Sequence, residues 1–363
     1  MSKTQDNQRL LSVQALFKER QIEAFLISSA VDIQYLTGLE LSHEEREGFL
    51  LATPKEPVLF IDSRKEDDRP AWLGQKITLD FTHPIAVALN AAVIDLGLES
   101  VTVDESDLSL AEFNKLTQGL NGTKLRQGLS PVSALRLIKD EVELGAVKKA
   151  VALADAAFEA ILSTIKLGQT EREIVWRLER IMRDQGADRL SFPAIVAVGA
   201  GSAVPHYEPG NIKVTRGKNI LLDFGCVVDG YCSDITRVIF SGTPTAAQRE
   251  HYAAVLKAQQ AALGALKVGV AGGVADQLAR HIIKDAGFPV FSHGLGHGVG
   301  LEIHELPYLR PNSTDALEPG MVFSIEPGIY LPGAMGIRLE DLVLMTNNGP
   351  QVLTQASKEL IVA

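Results

Sequence analysis

Two turns, each centred in an apolar, β-prone run that carries a pair of carboxylates, constrain this chain more than any other feature: Asp229-Gly230 and Pro332-Gly333. Asp-Gly between two such runs is a strong two-residue hairpin signal. Pairing ILLDFGCVVDGYCSDITRVIF about it sets Val228 opposite Tyr231 and Gly225 opposite Asp234. Asp223 then becomes a diagonal neighbour of Asp234, roughly 7 Å or less between Cβ atoms. In VFSIEPGIYLPGAMGIRLEDLVL, Glu326 and Glu340 lie seven residues either side of Gly333, and symmetry about that turn puts them opposite one another.

Paired aspartates in a hairpin are ordinarily a solvated strand face. Here Leu221, Leu222, Phe224, Val227, Val228 and Ile235 make the strand pair mostly buried, and a buried carboxylate needs a partner or a metal. Arg338, two residues before Glu340, shares its strand face and can orient a carboxylate. A plain structural ion pair fits the second hairpin equally well.

The fifth ligand comes from FSHGLGHGVGLEIHE, where His293, His297 and His304 are spaced by four and seven residues among four glycines. Glycine lets a backbone approach a metal closely. A lone histidine is more often a hydrogen-bonded core or surface residue, but these three with His206 make half of the eight in the chain. Asp223, Asp234, His297, Glu326 and Glu340 together can hold two divalent cations. Four oxygen donors with one imidazole favour Mn2+ or Co2+, with Zn2+ also compatible. Two such ions polarise a carbonyl and bring a bridging water toward deprotonation at neutral pH, so hydrolysis is the leading reaction class. Histidines outside the ligand set can stabilise an oxyanion or hold a substrate carboxylate.

The remaining chain is read around this site. Its 363 residues exceed the size at which one core keeps growing, so two domains are expected. Residues 1–130 alternate helical and strand-like runs: a helix from Asn7 to Arg20, then strands at Ala24–Ile27, Gly48–Leu51, Val58–Ile61 and Val101–Val103, which suggests an α/β domain. The Gly-, Ser- and Pro-bearing stretch Asn121–Arg136 marks the boundary. In the second domain, 131–363, a helix over Asp140–Ile165 is followed by another starting at a Thr170/Glu173 capping box, then by strands up to Phe240. The order recurs from a Thr245/Gln248 capping box, through helices to Leu266 and over Gly273–Ala286, to closing strands. Two helices followed by a hairpin, twice over, is the unit.

A net charge of -10 argues against nucleic-acid or anionic-membrane partners and favours small or peptide substrates. Cys226 and Cys232 cannot build a secreted-type disulfide framework and read as small buried hairpin residues rather than a redox sensor. The polar N-terminal stretch carries no export signal and no run reaches membrane-spanning length, so a reducing cytoplasm is the expected compartment.

The motifs HYEPGN, LLDFGCVVDGYCSDITR, HGLGHGVGLEIHE, SIEPGIY and GIRLED resemble those of the Xaa-Pro peptidases in the methionine aminopeptidase, aminopeptidase P, prolidase and creatinase superfamily. The resemblance spans the chain, since LISSAVDIQYLTGLE and SALRLIKDEVELGAVKKA are similar to that family's N-terminal domain and the entry to its catalytic domain. It implies an α+β "pita-bread" catalytic domain with internal pseudo-twofold symmetry, a dinuclear metal site, and an N-terminal domain that mediates a homodimer and helps wall the active site. Asp223 is then similar to a terminal ligand of one metal and Asp234 to a bridging ligand. His297 and Glu326 serve the other metal, Glu340 bridges, and Glu326 acts as general base. His206 is similar to a histidine that recognises the prolyl residue or its carboxylate, His304 to one that stabilises the tetrahedral intermediate, His293 to a third supporting histidine, and Arg338 to an arginine beside the bridging glutamate.

Longer prolidases carry an arginine upstream of the glutamate matching Glu326, where it contacts a dipeptide carboxylate. Arg310 lies near that place without matching its register, and nothing plainly closes the site behind a dipeptide, so the sequence leaves open a dipeptidase or an aminopeptidase. Methionine aminopeptidases usually lack the N-terminal domain. A non-catalytic interaction module, or a creatinase-like metal-free hydrolase, is disfavoured because all five ligands are present.

Overall fold

Short β-branched and leucine-rich runs in the first part of the chain close into one sheet. In the computed structural model, residues 3–42, 45–68, 75–80 and 82–363 are described. They fall into two units, one reaching Arg136 and the other spanning Leu137–Ala363. The first contains α1 (Lys3–Arg20), β1 (Phe25–Ile27), α2 (Ala30–Thr37), β2 (Gly48–Ala52), β3 (Val58–Asp62), β4 (Gln75–Leu79), α3 (Ile85–Asp95), β5 (Ser100–Asp104), α4 (Leu110–Gly119), β6 (Lys124–Gly128) and α5 (Pro131–Leu137). Its six strands run in the order β4-β3-β2-β1-β5-β6. Only β2 is antiparallel to its neighbours. Leu26, Phe49, Phe60 and Val103 pack with Leu89 and Val93 of α3 and Leu116 of α4, giving the α/β domain expected from the alternation.

The boundary stretch Asn121–Arg136 is itself structured. Lys124–Gly128 adds an edge strand to β5 in parallel, Val101 against Leu125. An edge strand with mostly exposed or half-buried residues has a polar composition that hides it.

The second unit is built from two similar halves. In the first, α6 (Glu141–Leu162) and α7 (Glu171–Asp184) precede β7 (Arg189–Leu190), β8 (Ile195–Val198), β9 (Asn219–Phe224), β10 (Cys226–Val228), β11 (Tyr231–Cys232) and β12 (Ile235–Phe240). In the second, α8 (Ala246–Ala265) and α9 (Gly272–Asp285) precede β13 (Gly296–Gly298), β14 (Glu305–Leu309), β15 (Val322–Ile325), β16 (Gly328–Leu331), β17 (Met335–Arg338), β18 (Asp341–Thr346), β19 (Gly349–Val352) and β20 (Ile361–Val362). Asp140, Thr170 and Thr245 each close a capping box, so α6, α7 and α8 start where the sequence signals them.

Strand periodicity then sorts the core. Ile220, Leu222 and Phe224 of β9 pack with Phe158 and Ile161 of α6 and Leu178 of α7. Leu221, on the other face, joins Val255 and Ala258 of α8, Ala279 of α9, and Phe323 and Ile325 of β15. Asp223 shares the Leu221 face by the two-residue period. Among the described residues no helix is long and apolar enough to cross a membrane.

Candidate metal centre

Each half delivers its acids on a hairpin whose register follows from the turn. About Asp229-Gly230, Val228 pairs with Tyr231 and Val227 with Cys232, and the same register continues to Phe224–Ile235 and Asp223–Thr236. Asp234 and Gly225 fall opposite one another in that frame. About Gly333, at φ 75°, Leu331 pairs with Met335 and Gly328 with Arg338. The register holds across the gap to Ile325–Asp341 and Val322–Leu344, so Glu326 and Glu340 are opposed. β13 lies against β15, Gly298 opposite Phe323, and brings His297 to the same place.

Asp223, Asp234, His297, Glu326 and Glu340 all line one cavity of about 500 Å³. His206, His293, His304 and Arg338 line it too, as do Phe192, Ile195, Tyr308 and Arg310. The structure thus brings together every site residue that the sequence nominated. His297 Nε2 lies 3.3 Å from Glu326 Oε1 and 3.7 Å from Asp234 Oδ2. The His297 and His304 rings meet edge to face at 4.3 Å between centroids. His206 and His304 are exposed at the cavity.

Arg338 is almost fully buried and spends its guanidinium on three groups. Nη2 donates to Asp223 Oδ2 at 2.5 Å, Nε to Thr236 Oγ1 at 3.1 Å and Nη1 to the Tyr330 hydroxyl at 3.0 Å. Thr236 Oγ1 in turn donates to Glu340 Oε2 at 2.7 Å. Tyr330 reaches His293 Nε2 at 2.8 Å, while His293 Nδ1 sits 2.7 Å from the Gly294 carbonyl. Those distances fit an Nδ1–H tautomer whose Nε2 accepts from the tyrosine.

Crowding of buried acids sets their protonation. Burial raises Asp234 well above the usual carboxylate range, and the charges of Glu340, Asp223 and Glu326 add to it. Burial, with Glu326 and Asp223, pushes Glu340 up to about 8. Asp223 is raised by burial against the opposing pull of Arg338. Burial works to raise Glu326 too, but the hydrogen bond and charge of His297 overcome it and hold Glu326 down at about 2. For His297 burial works to lower the value, and Glu326 with Glu340 outweighs it, giving about 9. Burial lowers His293 and His304.

These residues fit a divalent metal. Asp223 Oδ1, Asp234 Oδ1 and Glu340 Oε1 are buried with no hydrogen-bond partner, an arrangement that costs free energy unless a cation takes the lone pairs. Asp234, His297 and Glu340 offer ligand atoms within 4.8 Å of one another.

Several supporting residues were not anticipated. Thr236 and Tyr330 are one. A second is Arg237, whose Nη1 donates to the Glu340 carbonyl at 2.5 Å and whose Nη2 pairs with Asp341 at 2.7 Å, both side chains fully buried. Lys358 and Gln259 also donate to Asp341. The available signal was a charged residue directly after each of Thr236 and Glu340, in strands with apolar residues on both faces. A third is Asp276 with Arg280 on α9. Arg280 clamps Asp276 and donates to the carbonyls of Phe291 and His293, while Asp276 accepts from Leu295 N. The two cysteines are buried and reduced, with burial pushing their thiols up to about 11 and 12.

Comparison with known proteins gives the family. The sequence model for metallopeptidase family M24 matches residues 145–347, and that for the creatinase/prolidase N-terminal domain matches residues 9–138. An Xaa-Pro dipeptidase of Pyrococcus horikoshii is 32% identical over 362 residues, 98% of this chain and 99% of that one. The solved structure of an Xaa-Pro dipeptidase from Bacillus anthracis superposes with a TM-score of 0.92 at 34% identity, covering 99% of this chain and 100% of that one. An X-Pro aminopeptidase from Thermotoga maritima gives 0.84 at 33% identity, covering 95% and 99%.

Proposed function

Because this chain belongs to metallopeptidase family M24, with that family's pita-bread catalytic fold and metal-dependent hydrolase chemistry, we propose that it hydrolyses the Xaa-Pro bond of dipeptides. The observation that carries the reading is the convergence of Asp223, Asp234, His297, Glu326 and Glu340 on one cavity with three buried carboxylate oxygens unpartnered. The names of the relatives at 32–34% identity supply the Xaa-Pro preference. Two Mn2+ or Co2+ ions held by those five side chains would supply Lewis acidity and lower the pKa of water at the site. Asp234 and Glu340, one acid from each hairpin, would hold the ions together with Asp223, His297 and Glu326.

The remaining steps belong to the protein. Glu326 Oε1 is engaged by His297 and by the Ser324 hydroxyl at 3.1 Å, and Oε2 lies 4.0 Å from His293 Nδ1. Glu326 is the residue placed to take the proton of the attacking water. His304 donates to the oxyanion that forms at the scissile carbonyl. His206 holds the prolyl residue or its carboxylate at the cavity mouth. Arg338 keeps Asp223 and, through Thr236, Glu340 in place. A homodimer of this 39.2 kDa chain in a reducing cytoplasm completes the reading.

The likeness to an X-Pro aminopeptidase and the exposure of His206, His304 and Arg310 at the cavity favour one second reading, an aminopeptidase on longer peptides. Assays on Ala-Pro and Ala-Pro-Ala separate them: cleavage of the dipeptide alone supports the dipeptidase, and first-bond cleavage of the tripeptide replaces it with the aminopeptidase. Glu326→Gln must abolish turnover of either.

A further inference from the structure

We infer that Glu171 positions His206 for substrate by holding the loop that carries it, an inference that rests on the reading of His206 above. Glu171 is the first residue of α7 and is fully buried. An acid in a first helical turn ordinarily faces solvent and serves the helix dipole or the cap. In α7 that task falls to Glu173, the capping-box partner of Thr170.

The Glu171 carboxylate is spent elsewhere. Oε1 accepts from Val198 N at 2.8 Å, and Oε2 accepts from the Tyr207 hydroxyl at 3.0 Å and from Gly210 N at 2.9 Å. One side chain therefore joins the end of β8 to the residue beside His206 and to the segment leaving the loop. The hydrogen bonds are to a carboxylate removed from water, the stronger kind. Burial and Glu171 push the Tyr207 phenol up to about 12, so it stays a donor.

The loop also folds onto Tyr207. A Cβ at Gly201 lies 2.9 Å from that ring, which leaves no room for one. The near side is pinned by Ser202, which donates to the Gly199 carbonyl at 2.6 Å and accepts from Asn219 Nδ2 at 2.8 Å and Gly336 N at 2.7 Å. His206 itself is exposed. Its place over the cavity is set by the backbone on either side, and that backbone is set by Glu171 and Tyr207. Glu171 touches none of the five metal-ligand candidates, so its effect belongs to substrate engagement rather than metal loading.

Kinetics on the metal-loaded, full-length enzyme test this. Glu171→Gln cannot accept at both amide atoms, and Tyr207→Phe removes one donor while keeping the ring. Each is expected to raise KM for Ala-Pro by about tenfold with kcat within about twofold and metal content unchanged. In a His206→Ala background both should add little further, because the residue they position is gone. Equal fold-changes in the two backgrounds, or a loss of kcat and metal with KM unmoved, overturn the proposal. Tyr207→Phe keeps the test decisive where Glu171→Gln fails to fold. A His206→Ala enzyme with wild-type KM removes the substrate role of His206, and this proposal with it, while leaving peptidase activity itself standing. Absence of cleavage by the wild-type enzyme instead removes the Xaa-Pro reading.

Discussion

Arg338 shows how much of this site depends on single side chains. Its planar fork serves Asp223, Thr236 and Tyr330 at once, a geometry that a lysine ammonium cannot reproduce. Arg338→Lys should therefore weaken metal binding by roughly 10–100-fold, read by titrating metal-stripped protein, and an affinity equal to the wild type contradicts the role. Protonation gives a second prediction. Glu340 at about 8 and His297 at about 9 both lie above their ordinary values, so the folded metal-free protein holds protons there that the unfolded chain has lost. Their stabilising contribution is present at low pH and fades as pH rises through 8 and 9. Glu326, held at about 2, acts in the opposite sense, with stability lost only as pH falls through 2. Metal-free protein should melt several degrees lower at pH 9 than at pH 6, and metal binding should release protons. A metal-free melting temperature that rises with pH speaks against these assignments.

At the level of elements, the two halves share a device beside their proposed ligands. A Cβ on Gly225, two residues after Asp223, lies 1.9 Å from the Ser233 carbonyl, and one on Gly296, just before His297, lies 1.9 Å from the Ser324 carbonyl. These glycines let strands close to the distance at which the proposed ligands meet. Gly296→Ala must push β13 off β15, costing about 3 kcal/mol and the His297 ligand together, as denaturant melts and metal analysis would show. Gly333→Ala, where only the positive φ resists and nothing lies within 4 Å, should cost about 1 kcal/mol and keep the metal. Equal costs at the two positions contradict this account. Register was legible in the sequence because Asp229-Gly230 and Pro332-Gly333 fix it locally. The tight approach at Gly225 and Gly296 was not, since it depends on which carbonyl faces them across the sheet. The Arg237–Asp341 pair escaped for the same reason, since it joins strands far apart in the chain; Asp276 and Arg280 lie one helical turn apart on α9, and what the sequence hid is their reach to Phe291, His293 and Leu295.

Across the whole molecule, the recurrence of two helices and a hairpin was readable from capping boxes and turn signals, and it places one pair of carboxylates from each half at a shared cavity. The polar edge strand β6 was not readable, because its pairing with β5 replaces the hydrophobic pattern that marks inner strands. The proposed centre draws on both halves and exists only in the folded chain, so excess metal should raise stability by about 2.7 kcal/mol for each ion bound, at a hundred times its Kd. Stripping metal should lower the melting temperature accordingly.

The most direct test of the central claim is to titrate metal-stripped protein with Mn2+ and follow bound metal and Ala-Pro hydrolysis in the same samples. Activity should rise from zero and level off at two ions per chain. Hydrolysis by the stripped protein, or saturation of the protein with metal without hydrolysis, contradicts it.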